Sequence, residues 1–359
     1  MANIININIL IEMKHELNEL IIDDLSPSIF DGILEIYTGT KEMSNDTTMS
    51  PKLFINDIAS VNECSMQNVH KIIKEKDIET HRVSNKVYVD NKTARVLIKH
   101  EIPNNIISVH TTKGGVGKTT VTMNLGIRFW MFGARVLIID LDQQGNLSKS
   151  FGFPRGDYPV IQDVLEGKTK IQDAIQTVKD DLHVIPSNLN NVHNNQYMQA
   201  YNISADDFLP EQLKKIQDDY DIILFDCPPA LGSMVDSASL ASNMVISVMD
   251  PDDYALDGVE HSQLQIEALN KKKKKDIQFK ILLNKYDART MFSSSTLSEL
   301  QQNEKFKEYL FDTIIGTSQE FLKSKAQGIS IFDGLRHNKA SLDIDSLARE
   351  ILDWPQIEE

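Results

Sequence analysis

The sequence contains little cysteine, little positive charge and no long apolar run, and each shortage excludes a class of protein. Only two cysteines, Cys64 and Cys227, occur among 359 residues, so we expect neither a disulfide framework nor a cysteine-rich metal site, and a reducing cytosol is the expected compartment. The nine histidines show no metal-ligand spacing, so no transition metal is assigned. No stretch approaches roughly 18 uninterrupted apolar residues, so no transmembrane helix is expected.

The chain is acidic, with a formal net charge of −15. Such a chain should not coat nucleic acid over its whole surface, so any DNA contact must be a local basic patch. The charge is uneven, because residues 1–48 carry two lysines against nine acidic residues, whereas residues 52–100 carry nine basic against six acidic residues. This change of sign indicates separate modules.

Residues 1–48 are predicted to form a helix followed by a linker. Apolar residues recur at helical spacing between Ile7 and Ile22, and Ser26-Pro27 ends the pattern. A lone amphipathic helix must bury its apolar stripe either against the next domain or against a second subunit. We assign the segment to dimerisation, with packing on the next domain as the alternative.

The pattern of residues 49–102 predicts a winged helix-turn-helix domain that binds DNA. Leu53 to Val61 and Ser65 to Lys74 each suit a helix, and the alternating sequence RVSNKVYVD suits a β-hairpin, or wing. Glu63 occupies the turn where such units usually carry glycine, and the alternative is a small helical adaptor that touches no DNA. The residues expected to reach base edges are Ser65, Gln67, Asn68 and Lys71, and those expected to hold phosphates are Arg82 and Lys86.

Residues 103–359 are predicted to form an α/β domain. Apolar strand candidates alternate with helical stretches, which is the pattern of a doubly wound, mostly parallel sheet. Several of these candidates end in polar residues that could face a ligand. The candidates are Ile106–Val109, Val136–Ile139, Ile222–Phe225, Met244–Val248 and Ile281–Leu283.

A glycine-rich loop follows the first of these strands, in the segment IISVHTTKGGVGKTTVTMNLG, and runs into a helix predicted to begin near Lys118. Glycines let several backbone N–H groups approach phosphate oxygens at once. Lys118 can reach the β- and γ-phosphates, and the Thr119 hydroxyl can bind Mg²⁺. The strict P-loop pattern fails at Thr112, and an extra lysine stands at the start of the loop. The residues of this loop predicted to bind ATP are Lys113, Gly114, Gly115, Val116, Gly117, Lys118, Thr119 and Thr120.

Two further apolar strands end in aspartates, RVLIIDLDQQGN with Asp140 and Asp142, and YDIILFDCPPALG with Asp226. Ligands bind at the carboxyl ends of strands in open α/β folds. Asp226, as a Walker B aspartate, and Asp140 are predicted to hold Mg²⁺ together with Thr119, and Asp142 to orient the attacking water. No arginine finger is evident, so the catalytic set is predicted to be Lys113, Lys118 and Asp142.

Together, KGGVGKTT, IIDLDQQGN and ILFDCPP resemble the ParA/MinD family of deviant Walker ATPases, and their order and spacing are most similar to ParA-type partition proteins. The match covers roughly Ile106 to Ile351, and the amino-terminal additions resemble those of the longer plasmid ParA proteins. The resemblance implies ATP/ADP and Mg²⁺ as cofactors and an ATP-sandwich homodimer in which Lys113 crosses to the second subunit's nucleotide. It also implies non-specific DNA binding with ATP, stimulation by a ParB-type partner, repression of its own operon and a cytoplasmic, nucleoid-associated location. Adenine recognition is carried over to Asn284.

Two positions depart from the family pattern. Gln143 stands where the family usually has proline, which removes no ligand, and Gly316 stands where a loop near the adenine usually has proline. Non-specific DNA binding is assigned to a basic face, with solvated surface charge as the alternative. The residues of that face are Lys323, Lys325, Arg336 and Lys339.

Three other functions compete with this interpretation. A membrane-switched regulator resembling MinD requires a basic carboxyl-terminal helix, whereas SLDIDSLAREILDWPQIEE is acidic. An enzyme related to nitrogenase iron protein requires a cysteine pair, and only Cys227 lies in the ATPase domain. An ATP-responsive transcriptional repressor overlaps the leading interpretation.

Overall fold

The structure is a computed structural model that describes residues 49–154, 156–252 and 255–356, and these residues belong to one compact unit. The helix and linker predicted over residues 1–48 lie outside the described residues. Within the unit, an amino-terminal module of residues 49–102 precedes an α/β domain.

The amino-terminal module combines three helices with a small antiparallel sheet. Glu63 adopts a φ of 48° in the turn between the first two helices, the left-handed conformation for which glycine is usual. Ser65 caps the second helix by accepting a hydrogen bond from the Asn68 backbone N–H at 3.3 Å. The elements are β1 Leu53–Phe54, α1 Ile55–Val61, α2 Met66–Glu75, β2 His81–Val83, β3 Lys86–Val89 and α3 Asn91–Leu97, with the strands in the order β1-β3-β2. Two helices and a hairpin therefore lie close to their predicted positions, but the prediction of helix at Leu53–Phe54 is wrong, because these two residues pair with β3 as a strand. DNA binding by this module stays a prediction.

The α/β domain is built on a sheet of seven strands in which every neighbouring pair is parallel except β6 with β7. The predicted doubly wound, mostly parallel sheet is confirmed. The strand order is β10-β9-β4-β8-β5-β7-β6, with β4 Asn105–His110, β5 Val136–Asp140, β6 Gln176–Lys179, β7 Leu182–Ile185, β8 Ile222–Asp226, β9 Met244–Met249 and β10 Gln278–Leu283.

Helices cover both faces of this sheet, so its central strands carry apolar residues on both sides. Along β5, Val136 and Ile138 pack in one apolar core, whereas Leu137 and Ile139 pack in another. The helices are α4 Lys118–Met131, α5 Asn146–Ser150, α6 Ile161–Leu165, α7 Ile171–Ala174, α8 Asn194–Ala200, α9 Leu209–Leu213, α10 Ser233–Ala241, α11 Ala255–Lys273, α12 Met291–Gln302, α13 Gln319–Gln327 and α14 Lys339–Ile351.

The amino-terminal module shares the apolar core that contains α4 and α14. Asn91 Nδ2 donates hydrogen bonds to the carbonyls of Trp130 at 2.6 Å and Ala134 at 3.0 Å. Arg95 Nε donates to the Gly133 carbonyl at 2.6 Å, and a Cβ at Gly133 would lie 2.6 Å from the Arg95 backbone nitrogen. The predicted boundary near residue 102 therefore crosses a continuous core.

A buried charge network joins the same parts. Arg128 and Arg349, each 1% exposed, flank the carboxylate of Asp345, with Arg128 Nε donating at 2.6 Å and Arg349 Nε at 2.9 Å. Arg349 Nη1 also donates to Ser60 Oγ at 3.2 Å. Since two buried guanidinium groups share one carboxylate, the network depends on Asp345.

Candidate nucleotide-binding site

The glycine-rich loop connects β4 to α4 and adopts a conformation that glycine alone takes easily. Gly115 has a φ of 80° and Gly117 a φ of 100°. Gly117 also has no room for a side chain, because a Cβ there would collide with the amide of Asn284. The loop therefore presents closely spaced backbone N–H groups at the start of α4, where phosphates bind.

Two side chains that follow β10 hold this loop by donating hydrogen bonds to its carbonyl groups. Asn284 Nδ2 donates a hydrogen bond to the Val116 carbonyl at 2.7 Å, and Lys285 Nζ donates to the Gly115 carbonyl at 2.5 Å. Asn284 is buried. The structure thus gives Asn284 a role in holding the loop, and its predicted contact with adenine stays a prediction.

Lys118 begins α4 and is buried at the base of the loop, with 6% of its surface exposed. Burial lowers the pKa of its ammonium group, while the charges of Asp226 and Asp142 oppose that shift. A buried ammonium group at the base of a loop of converging backbone N–H groups is suited to bind the oxygens of a phosphate.

Asp140 and Asp226 end adjacent parallel strands and lie directly opposite each other in the sheet register. Burial raises the pKa of both carboxyl groups, that of Asp140 to about 7, and the nearby Asp140 charge raises the pKa of Asp226 further. Asp140 Oδ2 accepts hydrogen bonds from the backbone N–H and hydroxyl of Ser148 at 3.0 and 2.7 Å. Neither oxygen of Asp226 has a hydrogen-bond partner of normal geometry among the described residues, although the Thr119 hydroxyl and the Lys118 charge act to lower its pKa.

Asp142 lies at the mouth of the site and is half-buried. Its Oδ1 accepts a hydrogen bond from the Gln144 backbone N–H at 2.9 Å, and its carbonyl accepts one from the Ser187 hydroxyl at 2.7 Å. These bonds fix the loop after β5, so the Asp142 carboxylate is held next to the position that the glycine-rich loop prepares for phosphates.

Lys113, the extra lysine of the loop, is paired within its own chain. Its Nζ lies 3.1 Å from Asp250 Oδ1 and 2.6 Å from Asp252 Oδ2. The hydrogen bond to Asp252 raises the pKa of Lys113, so the ammonium stays charged. In this conformation Lys113 is held by the loop after β9.

A cleft of about 260 Å³ opens above the loop and contains most of the predicted nucleotide ligands. Its other wall is α13 and the turn after it, a helix whose Lys323 and Lys325 the sequence assigned to DNA binding. The lining includes Gly114, Gly115, Gly117, Lys118, Thr119, Thr120, Asn124 and Asp142 together with Pro229, Phe321, Ser324, Lys325, Gly328 and Ile329.

The residues predicted to read DNA in the amino-terminal module lie on its surface. Gln67, Asn68 and Lys71 are exposed on α2, where Lys71 Nζ lies 3.7 Å from a Glu75 oxygen. Lys86 Nζ stacks over the Phe54 ring at 4.9 Å from its centroid, and Arg82 is exposed on β2. Other basic side chains of the module face the α/β domain, since Lys92 pairs with Asp180 and Arg95 with Asp181. Part of the positive charge on which the prediction of DNA binding rests is therefore paired with aspartates of the α/β domain.

The predicted basic face near the carboxyl terminus is not continuous. Lys323 pairs with Glu320 and Lys339 with Asp343, while Lys325 lines the cleft. Arg336 is exposed in the turn before α14. The four residues do not present one unpaired basic surface, so their role in DNA binding stays a prediction with less support.

Sequence reasoning missed several supporting residues. Asp250 follows β9 directly, so the strand-end pattern that identified Asp140 and Asp226 also applied to it. Lys285 and Ser148 gave no such signal, because each acts through a contact that only the fold creates. No cluster of three or more histidine, cysteine or acidic residues able to hold a metal occurs in the described part of the chain. None of the described helices is both long and apolar enough to cross a bilayer.

Comparison with known proteins agrees with this geometry. The family model described as an AAA domain matches residues 104–279. The sporulation initiation inhibitor protein Soj of Bacillus subtilis is 30% identical over 251 residues, which cover 68% of this chain and 97% of that protein. The chromosome-partitioning ATPase Soj of Treponema pallidum is 28% identical, over 67% of this chain and 94% of that protein. Among solved structures, cobyrinic acid a,c-diamide synthase from Mycobacterium smegmatis with bound ADP and magnesium superposes with a TM-score of 0.60 at 24% identity, over 69% of this chain and 94% of that one, which shows a shared fold.

Proposed function

The chain belongs to the ParA/Soj family of P-loop ATPases, and we propose that it is a DNA-partition ATPase that binds ATP with Mg²⁺ and hydrolyses it slowly. The observation that carries this proposal is the meeting of the glycine-rich loop, buried Lys118 and buried Asp226 at one edge of the sheet. The Treponema pallidum relative is named a chromosome-partitioning ATPase, which supports partition as the process served.

The residues fit a magnesium ion bound together with nucleotide phosphates. Proteins hold Mg²⁺ through one or two carboxylates plus phosphates, so a large protein-only cage is not required. Asp226, whose two oxygens have no partner of normal geometry among the described residues, and the Thr119 hydroxyl would hold the ion. When bound, Mg²⁺ neutralises charge on the phosphates. Asp140 is less available for this role, because Ser148 and the Asp142 N–H already occupy its oxygens.

Phosphate binding and orientation of the attacking water are assigned to different residues of the site. The N–H groups of residues 114–119 and the Lys118 ammonium bind the phosphates, and Asp142 orients the attacking water from the mouth of the cleft. Lys113 acts across a homodimer on the second subunit's nucleotide, which requires it to leave Asp250 and Asp252. ATP-dependent dimerisation and Lys113 release are therefore one event in this proposal.

DNA contact and regulation complete the proposed function. We assign operator binding and autorepression to α2 and the β2–β3 hairpin, whose polar side chains are exposed. Non-specific DNA binding belongs to the ATP-bound dimer, and a ParB-type protein stimulates hydrolysis. The membrane-switched alternative loses support, because Ile344 and Leu347 of α14 are fully buried in the core, so its apolar face is not free to bind lipid.

Nucleotide assays on point variants test the enzymatic part. Lys118→Ala should lose ATP binding, whereas Asp142→Ala should bind ATP but hydrolyse it on the order of 10²-fold more slowly, because only the step at the water is affected. Gln143→Ala, a change at the adjoining half-buried position, is the control and should behave as the wild type. Normal hydrolysis by Asp142→Ala would refute its assigned role.

Mixed dimers test the action of Lys113 across the interface. Lys113→Ala and Asp142→Ala proteins, each strongly impaired alone, should recover part of the activity when mixed, because one of the two sites in a mixed dimer keeps both groups. A mixture no more active than the sum of its components would show that Lys113 acts within its own subunit.

A further inference from the structure

Helix α13 presents one of its faces to the nucleotide cleft. Phe321, Ser324, Lys325 and Gly328 all line the cleft, and their spacing of three and four residues places them on a single side of the helix. Leu322, which is 63% exposed, and Lys323, which pairs with Glu320, are not among the lining residues.

The helix is held firmly enough to fix the position of this face. Ser324 is buried, and Phe321 packs against the main apolar core, so this face is fixed by its packing. Gly328 ends the helix in the left-handed conformation with a φ of 64°. Lys325 therefore projects from a defined turn, between two anchored neighbours.

The charge of Lys325 is available to a ligand. Lys323 and Lys339 are each paired with a carboxylate, whereas Lys325 forms no ion pair with any residue that the structure describes. A nucleotide polyphosphate would enter a cleft that already contains Asp142, so a second cation besides Lys118 would offset its charge.

We propose that Lys325 is a nucleotide-binding residue, which contacts the phosphates of the bound nucleotide from the wall that α13 contributes. This inference rests on the proposed ATPase function and replaces the assignment of Lys325 to DNA. It also links α13 to nucleotide occupancy, because the helix gains a contact only when a nucleotide is present.

The test compares ADP and ATP affinities of the full chain and three variants, measured by calorimetry with Mg²⁺ and without DNA. Lys325→Met should weaken both affinities by roughly tenfold or more, the effect of losing a hydrogen bond to a charged group. Lys325→Arg should stay within about threefold of the wild type, because the charge is kept. The control is Lys305→Met, since Lys305 is an exposed lysine that pairs with Glu260 at 2.8 Å away from the cleft lining.

Three results would overturn the assignment. Lys325→Met could bind nucleotide as the wild type does, Lys305→Met could lose affinity equally, or Lys325→Met at saturating ATP could lose DNA binding with unchanged nucleotide affinity. The last result would restore the DNA assignment. A wild-type chain that bound neither nucleotide would instead refute the proposed function, which keeps the two failures distinguishable.

Discussion

Asp226 sits in surroundings that oppose its own charge. Burial and the neighbouring Asp140 carboxylate raise its pKa, and among the described residues no hydrogen bond of normal geometry compensates either oxygen. Such an environment costs stability in the empty protein and becomes favourable only when a cation arrives. The Asp226 carboxylate therefore lowers the stability of the empty protein and is explained by its proposed function as a cation ligand.

Replacement of Asp226 by asparagine should separate stability from function. Asp226→Asn removes a buried carboxylate, so the nucleotide-free protein should gain roughly 0.5–2 kcal/mol in the free energy of unfolding, the usual gain at a relaxed functional site. Magnesium-dependent ATP hydrolysis should be lost in the same variant. Urea denaturation measures the change in stability, and an ATPase assay measures the loss of hydrolysis. An Asp226→Asn protein less stable than the wild type would contradict the expected gain in stability.

The burial of His110 predicts that the free energy of unfolding depends on pH. Burial lowers its pKa to about 4, with the Lys118 charge acting in the same direction, from an ordinary value of 6.5. Between these two values the unfolded chain binds a proton that the folded chain does not, so the free energy of unfolding should fall as the pH decreases. One such group contributes up to about 1.4 kcal/mol per pH unit in that window.

Comparison with His110→Leu isolates this contribution from other titrating groups. The variant should show a shallower loss of stability between pH 6.5 and pH 4 in urea denaturation at several pH values, and the two proteins should converge in slope above that range. Parallel curves throughout would show that His110 does not titrate as its burial implies.

The loop after β9 and the glycine-rich loop form a pair of elements that restrains Lys113. Both ion pairs are partly exposed, with Lys113 at 39% and Asp250 at 20% exposure, so each is worth about 1 kcal/mol or less. The Asp250→Asn, Asp252→Asn double variant should therefore form the proposed ATP-dependent dimer roughly threefold to tenfold more readily. Light scattering with and without ATP measures this shift.

Lys113→Ala in the same background provides the control for that experiment. If Lys113 release is the cause, its removal should cancel the gain, whereas an unrelated change in surface charge would persist. A double variant that dimerises as the wild type does would show that the ion pairs do not restrain the lysine.

Strands with a long apolar run could be predicted from the sequence, whereas short strands and side chains that act through contacts distant in sequence could not. Strands β4, β5, β8 and β9 are buried on both faces, so their continuous apolar runs were readable. Strands β6 and β7 have four residues each and gave little signal, because β6 is a largely polar edge strand and the short apolar run of β7 is interrupted by His183. Lys323 and Lys325 look equivalent in the sequence, and only the winding of α13 distinguishes the paired lysine from the one in the cleft.

The chain from residue 49 onward is expected to unfold as one cooperative unit. Both tryptophans lie at the junction, since the Trp130 carbonyl accepts a hydrogen bond from Asn91 Nδ2 and Trp354 Nε1 donates one to the Glu101 carbonyl. Asp345→Ala leaves Arg128 and Arg349 buried without a shared carboxylate, so the free energy of unfolding should fall by about 3–5 kcal/mol. Tryptophan fluorescence and circular dichroism should report the same single transition.

Lys92→Ala is the matched control for that variant. Lys92 and Asp180 are 67% and 84% exposed, so breaking their ion pair should leave the free energy of unfolding essentially unchanged. Separate fluorescence and dichroism transitions in the wild type would contradict a single unit.

The core that residues 49–102 share with α4 and α14 limits how the amino-terminal module can be gained or lost in evolution. A segment with its own apolar core can be gained or lost by recombination as one unit, whereas loss of this one would uncover apolar residues of the shared core around Trp354, whose ring packs on His100. Any ancestor that acquired it had to acquire apolar residues on the receiving helices as well. The history of the amino-terminal module is therefore recorded in the composition of the ATPase domain, and a shorter relative is expected to carry polar residues at those positions.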